Sequence, residues 1–202
     1  MKKFTLLFSF VTLLVLAGCT KQLELPPHDE GFHFKHYERV KVNANHPPWV
    51  SSEIDLKQGD KVLVFASGKV TLCRHLRYPG VECGSQHIDK SATSSLYMRI
   101  GKNSTFKSYK LSATEDSGFV AGNGYYYDFR STYDGKLQFA VRDWRTYPPP
   151  KAYYKDNSGS FLLDVFVYDL EQKEGFKRFL SAMIQKNSED LMFTAQAQAF
   201  LK

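Results

Sequence analysis

The sequence predicts a mainly β protein, a β-sandwich or barrel that carries a short C-terminal helical appendage. Apolar residues alternate with polar ones, or form short runs, from residue 37 to residue 168. Clusters of Gly, Asn, Asp and Pro separate these runs, and the apolar period becomes helical after residue 170. A chain of 202 residues suits one domain with an appendage.

The predicted strands share an alternating or mostly apolar pattern between turn residues. They are Val40–Val42, Trp49–Leu56, Lys61–Ser67 with its continuation Lys69–Leu72, Leu96–Ile100, Leu137–Val141 and Phe161–Tyr168. The segment Gly122–Asp128 indicates a hairpin turn followed by a strand. Short strands that recur in this way favour a sandwich or barrel over βαβ units.

Residues 170–202 predict two short helices. The first carries an apolar stripe at helical spacing: Phe176, Phe179, Leu180, Met183 and Ile184. Asn187 is expected to end this helix, and Ser188–Leu191 to begin the next with an N-cap and with acidic residues in its first turn. The second apolar face is predicted to comprise Leu191, Met192, Ala195, Ala199 and Phe200. These helices either pack on the sandwich or on each other, or they offer a docking element to a protein partner.

The N-terminus has the composition of a secretory signal. Lys2 and Lys3 precede an apolar block, Phe4–Leu16, which is too short for a bilayer span of about 20 residues. Two small residues and Cys19 follow this block. An ordinary secretory signal with a chance cysteine is one interpretation of this pattern.

The segment Leu16-Ala17-Gly18-Cys19 also resembles the lipobox of bacterial lipoproteins. This resemblance implies cleavage before Cys19 and lipidation of Cys19, which anchors the mature chain to a membrane. Thr20 follows in place of an aspartate. By resemblance to the sorting of Gram-negative lipoproteins, that residue implies the outer membrane.

The predicted organisation has four parts. They are a signal peptide (1–18), a polar tether (19–36), a β-sandwich domain (37–169) and a helical appendage (170–202). The signal contains two lysines and no acid, so the mature chain has 25 basic and 21 acidic residues and a formal net charge of +4. Such a small excess indicates an ordinary solvated surface, and we expect no nucleic-acid partner.

Two cysteines, Cys73 and Cys83, remain once Cys19 is assigned to the lipid. Because the compartment outside the cytoplasm is oxidising, this even remainder predicts a disulfide. A metal site is the alternative, although no CxxC pair supports it.

One constellation of residues predicts a binding site. Asp143 ends a predicted strand, and Asp156 and Asn157 lead into the last one. Loops from neighbouring strand ends converge at one rim of a sandwich, and carboxylate and amide oxygens suit a hard cation such as calcium. The alternative is that Asp156–Gly159 is simply a turn, because Asn and Gly tolerate positive φ.

The β region resembles the calcium-dependent galactose-binding lectins of the PA-I type. The matching pieces occur in the family's order over about 120 residues: Val42–Asn45, Gly59–Asp60, Ala66–Gly68, Leu96–Gly101, Asp143 and Asn157–Phe161. The resemblance implies a jelly-roll-like, galactose-binding-type sandwich. It also implies a galactoside ligand that is bound through a calcium ion.

The resemblance further implies the site residues. The calcium ligands would be Asp143, Asn157, the backbone carbonyl of Leu72, and Asp156 in place of a family amide. The sugar would contact Asp143 and Asn157, together with Trp144 and Tyr153 from the loop 144–155. Tyr147 and Tyr154 lie in the same loop, and these aromatic residues either stack on the sugar or cover the rim.

We therefore expect a membrane-anchored, non-catalytic carbohydrate-binding module. The alternative is an envelope structural or interaction lipoprotein whose sandwich has lost its ligand. The sequence contains no recognisable nucleophile motif, so we do not expect an enzyme.

Overall fold

The computed structural model describes residues 22–46, 49–72, 84–87, 96–101, 109–110, 117–120, 124–141 and 154–202. Within these ranges the chain forms two antiparallel sheets and two C-terminal helices. The predicted fold class, a mainly β sandwich with a helical appendage, is therefore confirmed.

Ten strands occur in the described part of the chain. They are β1 (His36–Asn43), β2 (Val50–Leu56), β3 (Lys61–Leu72), β4 (Gly84–His87), β5 (Leu96–Ile100), β6 (Tyr109–Lys110), β7 (Ser117–Val120), β8 (Gly124–Arg130), β9 (Gly135–Val141) and β10 (Ser158–Tyr168). Sheet I has the order β1-β10-β3-β8-β7, with β4 also paired to β3. Sheet II has the order β2-β9-β5-β6.

The first hydrophobic core lies between the two sheets. Alternate residues of β1, β2, β3, β5, β8, β9 and β10 point into it, as the two-residue period of a β-strand requires. Sheet I contributes residues such as Val40, Val62, Val64, Phe161, Leu163 and Val165. Sheet II contributes residues such as Ile54, Leu96, Met98, Leu137 and Phe139.

A second core covers the outer face of sheet I. Leu63 and Phe65 of β3 belong to it, as do Phe166 and Tyr168 of β10, which pairs with β3. All five residues from Val62 to Ala66 are buried, because β3 has packing partners on both faces.

Two helices form the other side of the second core. After a short 3-10 turn at Leu170–Gln172 they are α1 (Lys173–Lys186) and α2 (Leu191–Leu201). The predicted stripe of α1 is confirmed, since Phe176, Phe179, Leu180 and Met183 are buried. This stripe packs against the sheet and so is not available to a partner protein.

The boundary between the helices follows the prediction in part. Asn187 is the C-cap of α1, and Asp190 is the N-cap of α2. The Asp190 carboxylate accepts a hydrogen bond from the Phe193 backbone N–H at 3.1 Å. The N-cap predicted within Ser188–Leu191 is therefore present. The acidic residues predicted for the first turn instead precede the helix, which has no acidic residue in its first turn.

The predicted apolar face of α2 is only partly correct, since Phe200 packs against the second core but Leu191 does not. Leu191 is 73% exposed, whereas Phe193, Gln196 and Ala197 are buried. The Gln196 side-chain amide donates to the Ala66 carbonyl of β3 at 3.4 Å. The docking of α2 on sheet I, rather than the distribution of apolar residues along α2, determines which side faces inward.

Residues 22–36, which the sequence indicates as part of a tether, lie against the folded unit. Leu23 is 6% exposed and belongs to the second core. The Phe34 ring stacks on Phe179 of α1, with the ring centroids 4.0 Å apart. The segment packs on the folded unit because apolar residues recur within its otherwise polar sequence and can be buried there.

Candidate ligand site at the sandwich rim

Several strand ends meet at one rim of the sandwich. Asn43, at the end of β1, pairs with Ser160 near the start of β10. Thr71, near the end of β3, pairs with Ser158. On sheet II, Val50 begins β2 and pairs with Phe139 near the end of β9. The rim therefore collects the ends of β1, β3 and β9 and the starts of β2 and β10.

Two glycines shape the entry of the chain into β10. Gly159 has φ +82°, and a Cβ atom there would lie 2.3 Å from the Lys69 carbonyl oxygen. Gly68 has φ +102°, and a Cβ atom there would lie 2.5 Å from the Ser160 carbonyl oxygen. Only glycine fits this close approach of β3 to β10 without displacing backbone.

Substitution of Gly159 by alanine is expected to lower the free energy of unfolding by about 2–3 kcal/mol. The new methyl group would meet the Lys69 carbonyl, and the residue would stay in the left-handed region. Gly101→Ala is the matched control, because Gly101 has φ +71° but its Cβ would lie 3.7 Å from the nearest atom. Its cost is expected to be about 1 kcal/mol. Urea denaturation measures the free energy of unfolding of both variants, and an equal loss in the two would contradict the prediction.

Asn157 is held at the rim by the backbone around it. Its side chain is buried, and its amide NH2 donates to the Ala44 carbonyl at 3.3 Å. Its backbone N–H donates to the Tyr154 carbonyl at 3.2 Å, which closes a turn over 154–157. Ala44 in turn donates its N–H to the Gly159 carbonyl at 3.0 Å. The predicted turn therefore exists, and it directs Asn157 towards the end of β1.

Asp156 has a buried carboxylate with no partner in the described structure. Both oxygens are inaccessible to solvent, and neither accepts a hydrogen bond from a described residue. A buried charge in this state is costly, so such a group requires a cation, a donor or a proton. Among the predicted site residues in the described ranges, Asp156 has the clearest need for a ligand.

The predicted metal ligands Asp156, Asn157 and Leu72 lie on adjoining strand ends. The pair Ser158–Thr71 is the last of the β3–β10 ladder, and Asn157 and Leu72 are the next residues outward. A carboxylate, an amide and a backbone carbonyl are an oxygen-donor set of the kind that calcium prefers. The described residues contain no group of three His, Cys, Asp or Glu side chains placed to hold a metal. A site here therefore depends on amide and carbonyl oxygens.

The remaining predicted site residues lie outside the described residues. They are Asp143, Trp144, Tyr153, Cys19, Cys73 and Cys83, and Tyr147 of the same loop is also among them. β9 ends at Val141, two residues before Asp143, and this end belongs to the rim. Tyr154 is described and is fully buried, so it covers the rim rather than presenting a face to a sugar.

A buried ionic cluster, which was not predicted from the sequence, lies on the outer face of sheet I. Arg39 of β1 forms two hydrogen bonds to the Asp164 carboxylate of β10, at 2.8 and 2.9 Å. A third, at 2.8 Å, joins Arg39 to Asp190, the N-cap of α2. The Tyr37 hydroxyl donates to Asp164 at 2.8 Å and accepts the Leu23 N–H at 3.1 Å. The cluster thus links sheet I, the helices and the N-terminal segment.

The charges in this cluster support one another. Burial lowers the pKa of the Arg39 guanidinium, but its hydrogen bonds and charge interactions with Asp164, together with its hydrogen bond to Asp190, raise the pKa overall. Burial also raises the pKa of the Tyr37 hydroxyl, which therefore stays neutral and donates its proton. Asp164 interrupts an otherwise apolar strand, and that single charge is the sequence signal that could have revealed the cluster.

A cleft of about 630 Å³ lies beside this cluster, where the N-terminal segment meets the turn between α1 and α2. Its lining includes Leu23, Arg39, Asn187, Asp190 and Leu191.

Of the helices in the described ranges, none combines the length and the apolar character needed to cross a membrane.

Comparison with known proteins gives a limited result. No family model matches the chain, and no curated protein matches it. A solved structure titled "EclA N-terminal domain; PllA-like lectin" matches at 19% sequence identity and a TM-score of 0.41. The match covers 69% of this chain and 99% of that one. The assignment of a two-sheet β-sandwich rests on the strand pairing of this chain itself.

Proposed function

We propose that this chain is a membrane-anchored, non-catalytic module that binds a carbohydrate through a calcium ion at the rim. The observation that carries the proposal is the Asp156 carboxylate, which is buried without a described partner. A divalent cation would satisfy both of its oxygens at once. The amide of Asn157 and the carbonyl of Leu72 adjoin it on neighbouring strand ends.

The other ligands follow from the family resemblance. Asp143 would supply the second carboxylate from the segment that follows β9. A calcium ion at this rim offers open coordination positions to vicinal hydroxyls of a galactoside-like sugar. Asp143 and Asn157 would also hydrogen-bond the sugar, while Trp144 and Tyr153 would pack against its ring.

The membrane anchor is the second part of the proposal. Its support is the lipobox-like segment that ends in Cys19, together with Thr20, which favours the outer membrane. Cys73 and Cys83 would form a disulfide outside the cytoplasm. Replacement of Cys19 by serine should therefore move the protein from the membrane fraction to the soluble fraction. Unchanged sedimentation with membranes would overturn the anchor.

Asp156→Asn is expected to weaken calcium binding roughly tenfold or more, because the substitution removes a charged ligand. Titration calorimetry with calcium, with and without galactosides, measures the effect. Asp55→Asn is the matched control, since Asp55 is exposed and lies at the end of β2 away from the rim. Its calcium affinity should equal that of the wild type.

A calcium-free measurement tests the buried carboxylate separately. In chelator, Asp156→Asn should not lower the free energy of unfolding and should raise it by about 1 kcal/mol, because a buried charge is removed. A wild-type protein that shows neither calcium heat nor a glycan-array signal would overturn the carbohydrate proposal.

The second candidate function is an envelope interaction lipoprotein whose sandwich has lost its ligand. Asp156 favours it, because this residue replaces an amide in the set that the lectin resemblance implies. The calcium titration above decides between the two functions. Deletion of residues 170–202 would not be a clean test of a partner, because it would uncover the second core.

A further inference from the structure

The N-terminal segment is bound to the folded domain from Gln22 onward. The Gln22 side-chain carbonyl accepts the Arg39 N–H at 2.9 Å, and its amide NH2 donates to the Arg39 carbonyl at 3.4 Å. Gln22 therefore pairs with the edge strand β1 much as another strand would. Leu23 follows it into the second core.

The next residue is fixed on the turn between the helices. The Glu24 N–H donates to the side-chain carbonyl of Asn187 at 2.8 Å, and the Asn187 amide NH2 donates to the Glu24 carbonyl at 2.8 Å. The Glu24 carboxylate also lies 3.4 Å from the Lys186 ammonium. Three successive residues are thus held on one corner of the domain.

This attachment determines the reach of the lipid anchor. Three residue steps separate Cys19 from Gln22, and an extended chain covers at most about 11 Å in that number of steps. A free tether over the whole of 19–36 would instead have a root-mean-square span of about 20–25 Å. A lipid on Cys19 would therefore hold this corner close to the bilayer.

The corner carries exposed apolar side chains beside the attachment point. Leu191, the first residue of α2, is 73% exposed, and Leu25 is 48% exposed. Both are large apolar residues with much of their surface in water, whereas most other large apolar residues of α1 and α2 belong to the second core or pack against it. Lys186 lies at the same corner with its side chain 48% exposed. Its partner Glu24 and the exposed Glu189 lie there too. Leucines among such charged side chains suit an interfacial contact, since the charged groups can stay hydrated at the headgroup level.

We propose that the membrane-facing surface of this protein is this corner, formed by residues 22–25 and 186–192. Its partner is the lipid surface in which Cys19 is anchored, and Leu25 and Leu191 enter the interfacial region. The inference rests on the lipid anchor of the proposed function, and it is independent of calcium and sugar binding. A domain attached in this way has a defined orientation at the bilayer. A domain on a free tether of residues 19–36 would have none.

Hydrogen exchange of the full-length lipidated protein tests the orientation. The protein is reconstituted in phosphatidylethanolamine–phosphatidylglycerol vesicles and compared with the soluble Cys19→Ser protein. Amides of 186–192 should exchange on the order of threefold more slowly on vesicles, because lipid excludes water from them. Amides of 131–134, in the loop between β8 and β9, should not change.

A pair of variants separates a lipid contact from mere proximity. Leu191→Glu should abolish the vesicle-dependent protection of 186–192, while Leu170→Glu, at a leucine that is 47% exposed outside the corner, should retain it. Both lipidated variants should still float with the vesicles. Wild-type protein that floats without protection of 186–192 would overturn the orientation alone. Wild-type protein that does not float would overturn the anchor and the orientation together.

Discussion

Replacement of Phe166 by alanine is expected to lower the free energy of unfolding by about 3–5 kcal/mol. Phe166 lies on the outer face of β10, is fully buried and belongs to the second core. Its ring neighbours come from β1, β3 and both helices: Tyr37, Phe65, Phe176, Phe179 and Phe193. Removal of the ring would leave a cavity between sheet I and both helices, and rigid neighbours fill such a cavity only in part.

Phe34→Ala is the matched control for this prediction. It removes the same atoms, but Phe34 is 38% exposed and stacks on Phe179 at the margin of the helical layer. Its cost should be less than half that of Phe166→Ala. Urea denaturation, followed by circular dichroism on protein without residues 1–19, measures both. A cost below about 1 kcal/mol for Phe166→Ala would show that the helices do not cover the sheet.

Replacement of Arg39 by methionine is expected to lower the free energy of unfolding by about 3–5 kcal/mol at pH 8. The side chains of Arg39 and Asp164 are only 9% and 7% exposed, so loss of the guanidinium leaves a buried carboxylate without its cation. Asp190 would also lose its contact with sheet I. The methionine keeps most of the apolar stem of Arg39, so the measured loss would come mainly from the charge.

The pH dependence of the Arg39→Met variant gives a second readout. Burial raises the pKa of the Asp164 carboxyl, and Arg39 opposes that rise. Without Arg39, the folded protein would hold a proton on Asp164 more tightly than the unfolded chain does. The folded state then binds more protons, so stability falls as pH rises from the unfolded pKa to the folded one. The loss in the free energy of unfolding that Arg39→Met causes should therefore be smaller at pH 5 than at pH 8.

Two further variants complete the test. Lys136→Met removes an ion pair with Asp55 whose side chains are 37% and 67% exposed, and it should cost no more than about 1 kcal/mol. The double variant Arg39→Met, Asp164→Leu should recover much of the stability, since both buried charges are then absent. A pH-independent cost for Arg39→Met would contradict the explanation by a buried carboxylate.

The strands and helices were predictable because their signals are local. Alternation in Val40–Val42 and the apolar stripe of α1 report which side of each element is buried, whatever covers it. The cap at Asp190 is likewise a property of a few neighbouring residues. The face of α2 was not predictable in this way, because Arg39 and the Ala66 carbonyl fix its orientation from distant parts of the chain.

The candidate site was predictable in part. Asp156 and Asn157 were identified by their position before the last strand, and Leu72 by a family resemblance. Strand pairing places Asn157 and Leu72 on adjoining strand ends. The burial of the Asp156 carboxylate had no local signal, because it depends on how the turn 154–157 packs at the rim. Asp143 and the cysteines stay predictions.

The pattern of residues alone established a mostly apolar strand at Lys61–Ser67, an amphipathic α1 and a signal-like N-terminus. Only the tertiary structure decided that the helices cover sheet I and that residues 22–24 are held on the corner beside them. The physical reason is the range of the interactions. Periodicity arises from backbone geometry within one element, whereas the choice of covering element depends on contacts such as Glu24–Asn187, 163 residues apart in sequence.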